Sequence, residues 1–237
     1  MKKTLAVVSC ALPLCAAEIL SEKFSLLALQ PDNDIDAPVS SHPDMIMCRI
    51  GERIFLPRSY AADYPEIYGA LSSIDGYTVV LSDSPRSAKY PHDISLNCAV
   101  TDSTECGKNV ICLSKHTSPD VITETRERFY RIVNVRQGYA GCSCLVSDKA
   151  VLTSDRGIYS ALRALKVPVF LCPCDNIRLD GYSHGFIGGC GGVYGNELYL
   201  FGDEYPSEVK DFAEYASLTV VPLIRAPLTD YGGMKFI

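Results

Sequence analysis

The chain of 237 residues has 47% hydrophobic and 21% charged residues, a balance typical of a globular protein with a sizeable core. Its 22 basic and 28 acidic residues give a formal net charge of −6. The Lys and Arg residues form no patch or run, which argues against a nucleic-acid partner. The sequence contains no stretch of about 20 apolar residues, so we expect no membrane-spanning segment and no membrane partner.

The N-terminal segment MKKTLAVVSCALPLCAAE has two interpretations. Its basic start, its apolar stretch and the small residues near Ala17 resemble a signal peptide. Alternatively, residues 4–8 form a strand and residues 13–21 form a helix. Because cleavage would remove a strand and a helix of the kind that the rest of the chain repeats, we favour the structural interpretation.

A unit of two strands, a helix and a third strand is clearest in the middle of the chain. A glycine-rich turn leads into a predicted strand at residues 143–146, and a second strand follows at residues 150–153. Asp155, with a serine before it, can cap a helix whose apolar residues recur at helical spacing. Residues 167–171 then form a buried strand.

The same unit recurs along the whole chain, which is the signature of a repeat architecture. Its helix-and-strand half ends at five positions, which are Asp32, Asp83, Gln137, Asp175 and Ile224. Its strand pair begins near residues 42, 92, 141 and 184. The fifth pair is split between the chain ends, where residues 232–236 would lie beside residues 4–8.

Pairing of the two chain ends would leave no open sheet edge, as in a propeller. We therefore predict one α/β domain over residues 1–237. It is a five-fold pseudo-symmetric α/β propeller of strand–strand–helix–strand (ββαβ) units. The helices lie outside, and the first strand of each unit lines a central channel.

This order of units resembles the pentein fold of the guanidino-modifying enzymes, which include arginine and agmatine deiminases, amidinotransferases and dimethylarginine hydrolases. The motifs HPDM, YPHDISLN, GYAGCS, GFIGG and DYGG are similar to those of a bacterial pentein-like family known only as a domain of unknown function. The resemblance covers nearly the whole chain. It implies the fold, and it implies a small cationic guanidino or amidine compound as a partner.

His42 and Asp44 open the first strand pair, which would place both side chains at the channel. The run His-Pro-Asp resembles the His-x-Asp motif of the guanidino-modifying enzymes. The resemblance implies that His42 moves protons and that Asp44 binds the substrate's guanidinium, whose planar N–H groups suit a carboxylate acceptor. Alternatively, Asp44 caps a turn and His42 bonds the backbone.

Three further residues occupy comparable places in other units. Asp93 follows His92 one unit later, and the resemblance implies a second carboxylate for the substrate, although a turn residue is the alternative. His184 precedes GFIGG, and Asp230 precedes the final glycine pair. Glycine clusters suit close packing or the approach of a ligand, so His184 is a candidate catalytic residue and Asp230 a candidate substrate-binding residue.

Cys142 is the candidate nucleophile because it follows the glycine-rich turn GYAG, as the nucleophiles of pentein enzymes follow such turns. A nucleophilic cysteine needs a lowered pKa and a nearby base, which His42 or His184 could supply. In the related enzymes the nucleophile lies in the last unit. Here the last unit, LTDYGGMKFI, contains no cysteine, so a structural role for Cys142 is the alternative.

The eleven cysteines are an odd number, and most lie in predicted core strands. We therefore expect free, buried thiols in a reducing cytoplasm rather than a disulfide scaffold. Two Cys-x-Cys pairs, Cys142 with Cys144 and Cys172 with Cys174, could in principle bind zinc. Their spacing is shorter than that of usual structural zinc sites and Pro173 interrupts one of them, so we expect neither metal nor cofactor.

The sequence thus predicts that six side chains gather at one mouth of the channel: His42, Asp44, Asp93, Cys142, His184 and Asp230. Two functions follow. One is a Cys-dependent hydrolase or amidinotransferase that acts on a guanidino or amidine compound. The other is a non-catalytic ring that binds a small molecule or a macromolecule, because fold alone does not imply catalysis. No pattern in the sequence specifies an oligomeric state.

Overall fold

The computed structural model describes residues 3–103, 108–173 and 175–237, with the side chains of all of these except 102, 103 and 108. The strands, in chain order, are β1 (Leu5–Ser9), β2 (Ser25–Leu29), β3 (Cys48–Ile50), β4 (Arg53–Pro57), β5 (Thr78–Ser82), β6 (Ala99–Ser103), β7 (Lys108–Leu113), β8 (Arg131–Asn134), β9 (Cys144–Val146), β10 (Val151–Thr153), β11 (Val169–Leu171), β12 (Gly191–Tyr194), β13 (Glu197–Leu200), β14 (Thr219–Pro222) and β15 (Lys235–Phe236). The helices are α1 (Leu14–Lys23), α2 (Pro43–Ile46), α3 (Arg58–Asp63), α4 (Pro65–Ser72), α5 (Pro119–Glu127), α6 (Arg156–Ala164) and α7 (Ser207–Ala216).

The strands form five three-stranded sheets in the described part of the chain, in the orders β15-β1-β2, β3-β4-β5, β6-β7-β8, β9-β10-β11 and β12-β13-β14. In each sheet the first two strands are antiparallel and the last two are parallel. One or two helices connect the parallel strands. The predicted ββαβ units are confirmed. In the unit at residues 143–171, the three observed strands are one or two residues shorter than predicted.

The two chain ends pair as predicted. Strand β15 is antiparallel to β1, with Ala6 opposite Phe236 and Val7 opposite Lys235. The backbone groups of Leu5 and Ile237 exchange two hydrogen bonds of 2.9 Å. Residues 5–23 form β1 and α1, as the structural interpretation of the N-terminal segment predicts.

Helix starts follow from their capping residues. The side chain of Asp155 accepts a hydrogen bond from the amide of Ile158 (2.7 Å) at the start of α6. This satisfies one of the amides that a helix start leaves free. The helix then buries Ile158 and Leu162 on one face. Pro65 and Pro119 stand in the first turns of α4 and α5, where a missing N–H costs nothing.

Neighbouring units are held together by shared apolar clusters. One such cluster joins Leu145 of β9, Leu198 of β13 and Phe212 of α7, so it spans the fourth and fifth units. Burial of such side chains supplies most of the stability of the arrangement. The longest described helices, α1 and α7, have ten residues each, and none of those described has the length and apolar character that a bilayer crossing requires.

The first strands of the units, which we call the inner strands (β3, β6, β9, β12 and β15), border a central cavity of about 410 Å³. The inner strands therefore line a central space, as predicted, and we call it the channel. Eight cysteines of the described residues are free thiols: Cys10, Cys15, Cys48, Cys98, Cys112, Cys142, Cys144 and Cys190. Cys174 lies outside these residues, so the pair that it forms with Cys172 in the sequence is not described.

Candidate functional site

Five segments lie at the same end of the channel, because each leads directly into an inner strand. They are residues 42–47, 93–98, 138–143, 185–190 and 230–234. Backbone hydrogen bonds join them. The amide of Asp44 donates to the carbonyl of Gly232 (3.2 Å), and the amide of Gly188 donates to the carbonyl of Cys142 (2.8 Å). The polar side chains of these segments are thereby held around one end of the channel.

Asp44 lies in the short helix α2 and borders the central cavity. Its side chain is buried, and neither carboxylate oxygen has a hydrogen-bond partner in the described structure. Burial, with the nearby Asp230 as the second cause, raises the pKa of Asp44 to about 7, while Lys235 and the Cys142 thiol oppose this rise. Near neutral pH the carboxyl group is therefore poised between its neutral and charged forms.

Asp230 is equally buried, but its carboxylate is satisfied. One oxygen accepts the amide of Phe186 and the other accepts the amide of Gly232, each at 2.9 Å. Burial raises the pKa of Asp230 to about 6, and the two backbone hydrogen bonds oppose this rise. Nδ1 of His42 lies 3.6 Å from Oδ1 of Asp230. Burial lowers the pKa of His42 to about 4, so this histidine is neutral near pH 7.

The glycine motifs make room for these two side chains. A Cβ atom on Gly189 would lie 1.7 Å from Oδ1 of Asp230, and one on Gly232 would lie 2.3 Å from Cβ of His42. Gly232 also has a φ of +78°, a conformation that side chains disfavour. The sequence left open whether the glycines serve close packing or ligand approach, and at these two positions they serve close packing around Asp230 and His42.

Cys142 is buried behind the channel wall. Its Sγ is 2.9 Å from Nδ2 of Asn97 and 3.7 Å from Sδ of Met45. Burial, followed by the charges of Asp44 and Asp230, raises the pKa of the Cys142 thiol well above its usual range. Neither His42 nor His184 is a hydrogen-bond partner of Cys142 within the described chain, so the resting thiol is protonated and has no histidine base beside it. The carboxyl group close to this thiol is that of Asp44.

Asn97 is a site residue that the sequence analysis missed. It is fully buried. Its Nδ2 donates to the carbonyl of Asp44 (2.9 Å) and to Sγ of Cys142, and its Oδ1 accepts the amide of Gly141 (2.7 Å). The amide group thus connects the Asp44 segment to the Cys142 segment. A polar residue within the otherwise apolar end of DISLNCAV is the signal that could have revealed it.

Asp93 and His184 lie at the same end, and neither side chain is hydrogen-bonded to the other four within the described residues. Oδ2 of Asp93 accepts the hydroxyl of Tyr139 (2.7 Å), whereas its Oδ1 is buried without a partner in the described structure. The Tyr139 ring stacks on Phe186, with centroids 6.1 Å apart, and the His184 ring meets Phe186 edge-on at 5.8 Å. Asp93 and His184 are therefore connected to the inner cluster through aromatic rings.

The structure thus arranges the six predicted residues in two layers. Asp44, Asp230, His42 and Cys142 form the inner layer, and Asp93 and His184 form the outer one. Asp44 borders the cavity, and its two oxygens, which have no hydrogen-bond partner in the described structure, can accept the N–H groups of a small cation. Within residues 3–103, 108–173 and 175–237, no group of three or more His, Cys, Asp or Glu side chains could hold a metal ion.

A family model described as a family of unknown function (DUF6873) matches residues 7–235. No curated protein matches the chain.

Solved structures resemble it at low sequence identity. A Cys-to-Ser mutant of DDAH from Pseudomonas aeruginosa, complexed with citrulline, has a TM-score of 0.57 and 10% identity over 93% of this chain and 91% of that chain. The N-terminal domain of ArgZ, covalently bonded to a reaction intermediate, has a TM-score of 0.55 and 9% identity over 95% of this chain and 91% of that chain. C. jejuni agmatine deiminase has a TM-score of 0.52 and 9% identity over 94% of this chain and 88% of that chain. These similarities show that the fold is the pentein fold.

Proposed function

Because the chain belongs to this family of unknown function, DUF6873, and has the pentein fold, we propose that it binds a small guanidinium or amidinium cation at Asp44. We propose further that it acts on this cation as a Cys-dependent hydrolase or amidinotransferase. The observation that carries the proposal is the buried carboxylate of Asp44, a residue that borders the cavity. Its two oxygens have no hydrogen-bond partner in the described structure, although the Cys142 thiol lies close to them. A buried ionised carboxylate without a partner is costly, and a planar cation with paired N–H donors would satisfy it.

The other predicted residues take supporting roles. Asp230 adds negative charge beside Asp44, although its oxygens already accept two backbone amides. Asp93 has one free oxygen for a more distant donor of the ligand. His42, which is neutral near pH 7, can accept a proton in the inner layer, and His184 can exchange one with solvent from the outer layer.

The positive charge of a bound ligand would activate Cys142, whose thiol is protonated in the free protein. Two of the causes that raise the pKa of its thiol are the charges of Asp44 and Asp230. A bound cation neutralises these charges and so lowers the pKa of Cys142 toward the range of a reactive thiol. The thiolate would then form only when the substrate is in place.

The reaction proceeds by covalent catalysis. A histidine accepts the proton of the Cys142 thiol, the thiolate attacks the central carbon of the cation, and a C–S bond forms. The C–N bond to the leaving amine or ammonia then breaks as the histidine returns that proton to the leaving nitrogen. Water attacks the same carbon, the C–S bond breaks to restore the thiol, and the second product is a urea from a guanidinium or an amide from an amidinium. In the transferase variant an acceptor amine replaces water. Among the similar structures, that of DDAH contains citrulline and the ArgZ domain is bonded to a reaction intermediate.

The test separates binding from chemistry. Wild type, Asp44→Asn and Cys142→Ser are titrated calorimetrically with arginine, agmatine, guanidinium and acetamidine, and the release of urea products and ammonia is measured. We expect at least about tenfold weaker binding for Asp44→Asn. Cys142→Ser should keep binding and lose turnover.

The matched control is Asp148→Asn, because Asp148 is an exposed carboxylate at the opposite end of the cavity. This variant should bind and turn over the ligands as wild type does. Equal binding by wild type and Asp44→Asn would refute the cation site.

A second candidate is a ring that binds the same cation without turning it over. The environment of Cys142 favours it, because the thiol is buried, has no histidine partner in the described structure and has a raised pKa. Mass spectrometry of wild type after incubation with a bound ligand decides between the two. A Cys142 adduct or a product supports the enzyme. Tight binding with neither adduct nor product, and unchanged binding by Cys142→Ser, supports the binding ring.

A further inference from the structure

Two thiols meet on the wall of the channel between the first and second units. Cys48 is the first residue of β3, and Cys98 directly precedes β6. Their Sγ atoms are 2.9 Å apart. Both side chains are buried, at 4% and 8% exposure, yet both residues border the central cavity. The two thiols have no role in the reaction proposed for Cys142, so another explanation of their contact is needed.

We propose that Cys48 and Cys98 form a reversible intramolecular disulfide that fastens the first unit to the second at the channel. A disulfide has an S–S distance of about 2.05 Å, so the observed sulfur atoms need to approach by only about 1 Å. The Cys48 thiol, followed by burial, raises the pKa of Cys98. The Cys98 thiol is therefore protonated at rest, and it loses this proton when the bond forms.

The oxidant that the site admits is a small one, because the cavity holds about 410 Å³ and the thiols are not on the outer surface. We assign a peroxide to this role. One sulfur attacks a peroxide oxygen, the O–O bond breaks, and a sulfenic acid and water form. The second sulfur then attacks the sulfenic sulfur, the S–O bond breaks, and a second water leaves. Two thiols and one hydrogen peroxide thus give one disulfide and two waters, and a dithiol reductant reverses the change.

The bond would connect the two chain segments that build the inner site. Cys98 follows Asn97, whose amide holds Asp44 and Cys142. Cys48 follows the helix α2 that carries Asp44. Oxidation would therefore fix the distance between the Asp44 segment and the Asn97 segment. In the reduced protein these are joined by hydrogen bonds and by the apolar cluster that contains Cys48, Leu96 and Cys98, without a covalent bond.

The experiment treats the native wild-type protein with hydrogen peroxide, blocks remaining thiols with N-ethylmaleimide after denaturation, and maps tryptic peptides without reduction. The exposed Cys10 and Cys15 report that the oxidant has acted. We expect the peptide 24–49, which contains Cys48, to be linked to the peptide 90–108. Because that second peptide contains both Cys98 and Cys106, fragment ions or a Cys106→Ser variant assign the bond. Dithiothreitol should release both peptides.

A thermal melt provides a second readout. A disulfide that closes a loop of this length restricts the unfolded chain, so we expect the oxidised protein to melt about 5–15 °C higher than the reduced one. Cys48→Ser and Cys98→Ser should each abolish the cross-link and the shift. Cys144→Ser is the matched control, since Cys144 is also buried at the cavity and its thiol contacts Thr153, and it should keep both.

The peptide map of wild type decides the matter even where a serine variant fails to fold. Recovery of Cys48 and Cys98 as maleimide-labelled thiols, after the exposed cysteines have been oxidised, would overturn the proposal. A cross-link from either residue to another cysteine would do the same.

Discussion

The segments that carry Asp44 and Asp230 show how two equally buried carboxylates can have different roles. Both lie at the same end of the channel, and burial raises the pKa of both. The Asp230 carboxylate accepts two backbone amides, whereas the Asp44 carboxylate accepts none in the described structure. A satisfied carboxylate stabilises the fold, and an unsatisfied one is available to a ligand. Asp93 is intermediate, because one of its oxygens accepts a hydrogen bond and the other accepts none in the described structure.

The largest effect should come from filling the space beside Asp230. In Gly189→Ala the new Cβ would lie 1.7 Å from the Asp230 oxygen, so the carboxylate must leave its two amides. We expect a loss of about 3 kcal/mol or more in the free energy of unfolding, measured by urea denaturation. Gly69→Ala in helix α4, where a Cβ has no neighbour within 4 Å, should be neutral or stabilising. Equal stability of the two variants would show that Asp230 is not anchored as described.

The second largest effect on stability should come from removing the charge of Asp230. Asp230→Asn keeps the size of the side chain, but its NH₂ group cannot accept the second backbone amide. We expect a loss of about 2–3 kcal/mol of unfolding free energy. The control is Asp83→Asn, because Asp83 is exposed and pairs with Arg58 on the surface, and it should change stability by less than about 1 kcal/mol. An unchanged free energy of unfolding in Asp230→Asn would mean that the Asp230 carboxylate, like that of Asp44, does not stabilise the fold.

Asp44→Asn should instead stabilise the protein at alkaline pH. The pKa of Asp44 is about 7 in the fold, against 3.8 for an aspartate in water. The folded state therefore holds a proton that the unfolded state releases. The contribution of Asp44 to stability then falls as pH rises from about 4 to about 7, by up to about 1.4 kcal/mol per pH unit.

Denaturation of wild type and Asp44→Asn across pH 4 to 9 isolates this effect. His42 acts in the opposite sense, because its pKa is lowered to about 4. It should add stability as pH rises from about 4 to its ordinary value of about 6.5. Only the difference between the two proteins is therefore informative. A stability difference that does not change with pH would contradict the unsatisfied, proton-holding state of Asp44.

The smallest effect concerns Asp93. Tyr139→Phe removes the hydrogen bond that the Asp93 carboxylate accepts and leaves the rings of the outer layer in place. We therefore expect a loss of about 1 kcal/mol in the free energy of unfolding, measured by urea denaturation. Tyr215→Phe serves as the control, because Tyr215 is 52% exposed, and it should be neutral. A loss as large as that of Asp230→Asn would mean that Asp93 is as strongly anchored as Asp230.

Much of the fold could be predicted because its signals are local. Apolar periodicity marks α6, and turn residues separate the strands of each unit. The pairing of β1 with β15 could be predicted because each chain end carries half of a strand pair that the other units contain whole. The helix α2 could not be predicted, because residues 43–46 continue directly into the strand β3 and carry no helical periodicity.

The site could be predicted only as a set of residues at one end of the channel. The place of Asp44, Cys142 and Asp230 before inner strands follows from the repeat. Their partners do not, because Asn97 reaches Cys142 across 45 positions of sequence and Phe186 reaches Asp230 across 44. Whether a carboxylate is satisfied or free depends on such long-range contacts, and the composition of a motif does not reveal them.

The sheet order has a consequence for motion. In every sheet the middle strand (β1, β4, β7, β10 or β13) is hydrogen-bonded on both sides, while the inner strand is bonded on one side only. No ladder joins the sheets among the described residues. Packing of side chains and a few backbone hydrogen bonds at one end of the channel keep the inner strands in place around the cavity. Amide hydrogen exchange should therefore alternate five times along the chain, slow in each middle strand and faster in each inner strand. The wall of the channel would then be the part of the protein that yields first when a ligand enters.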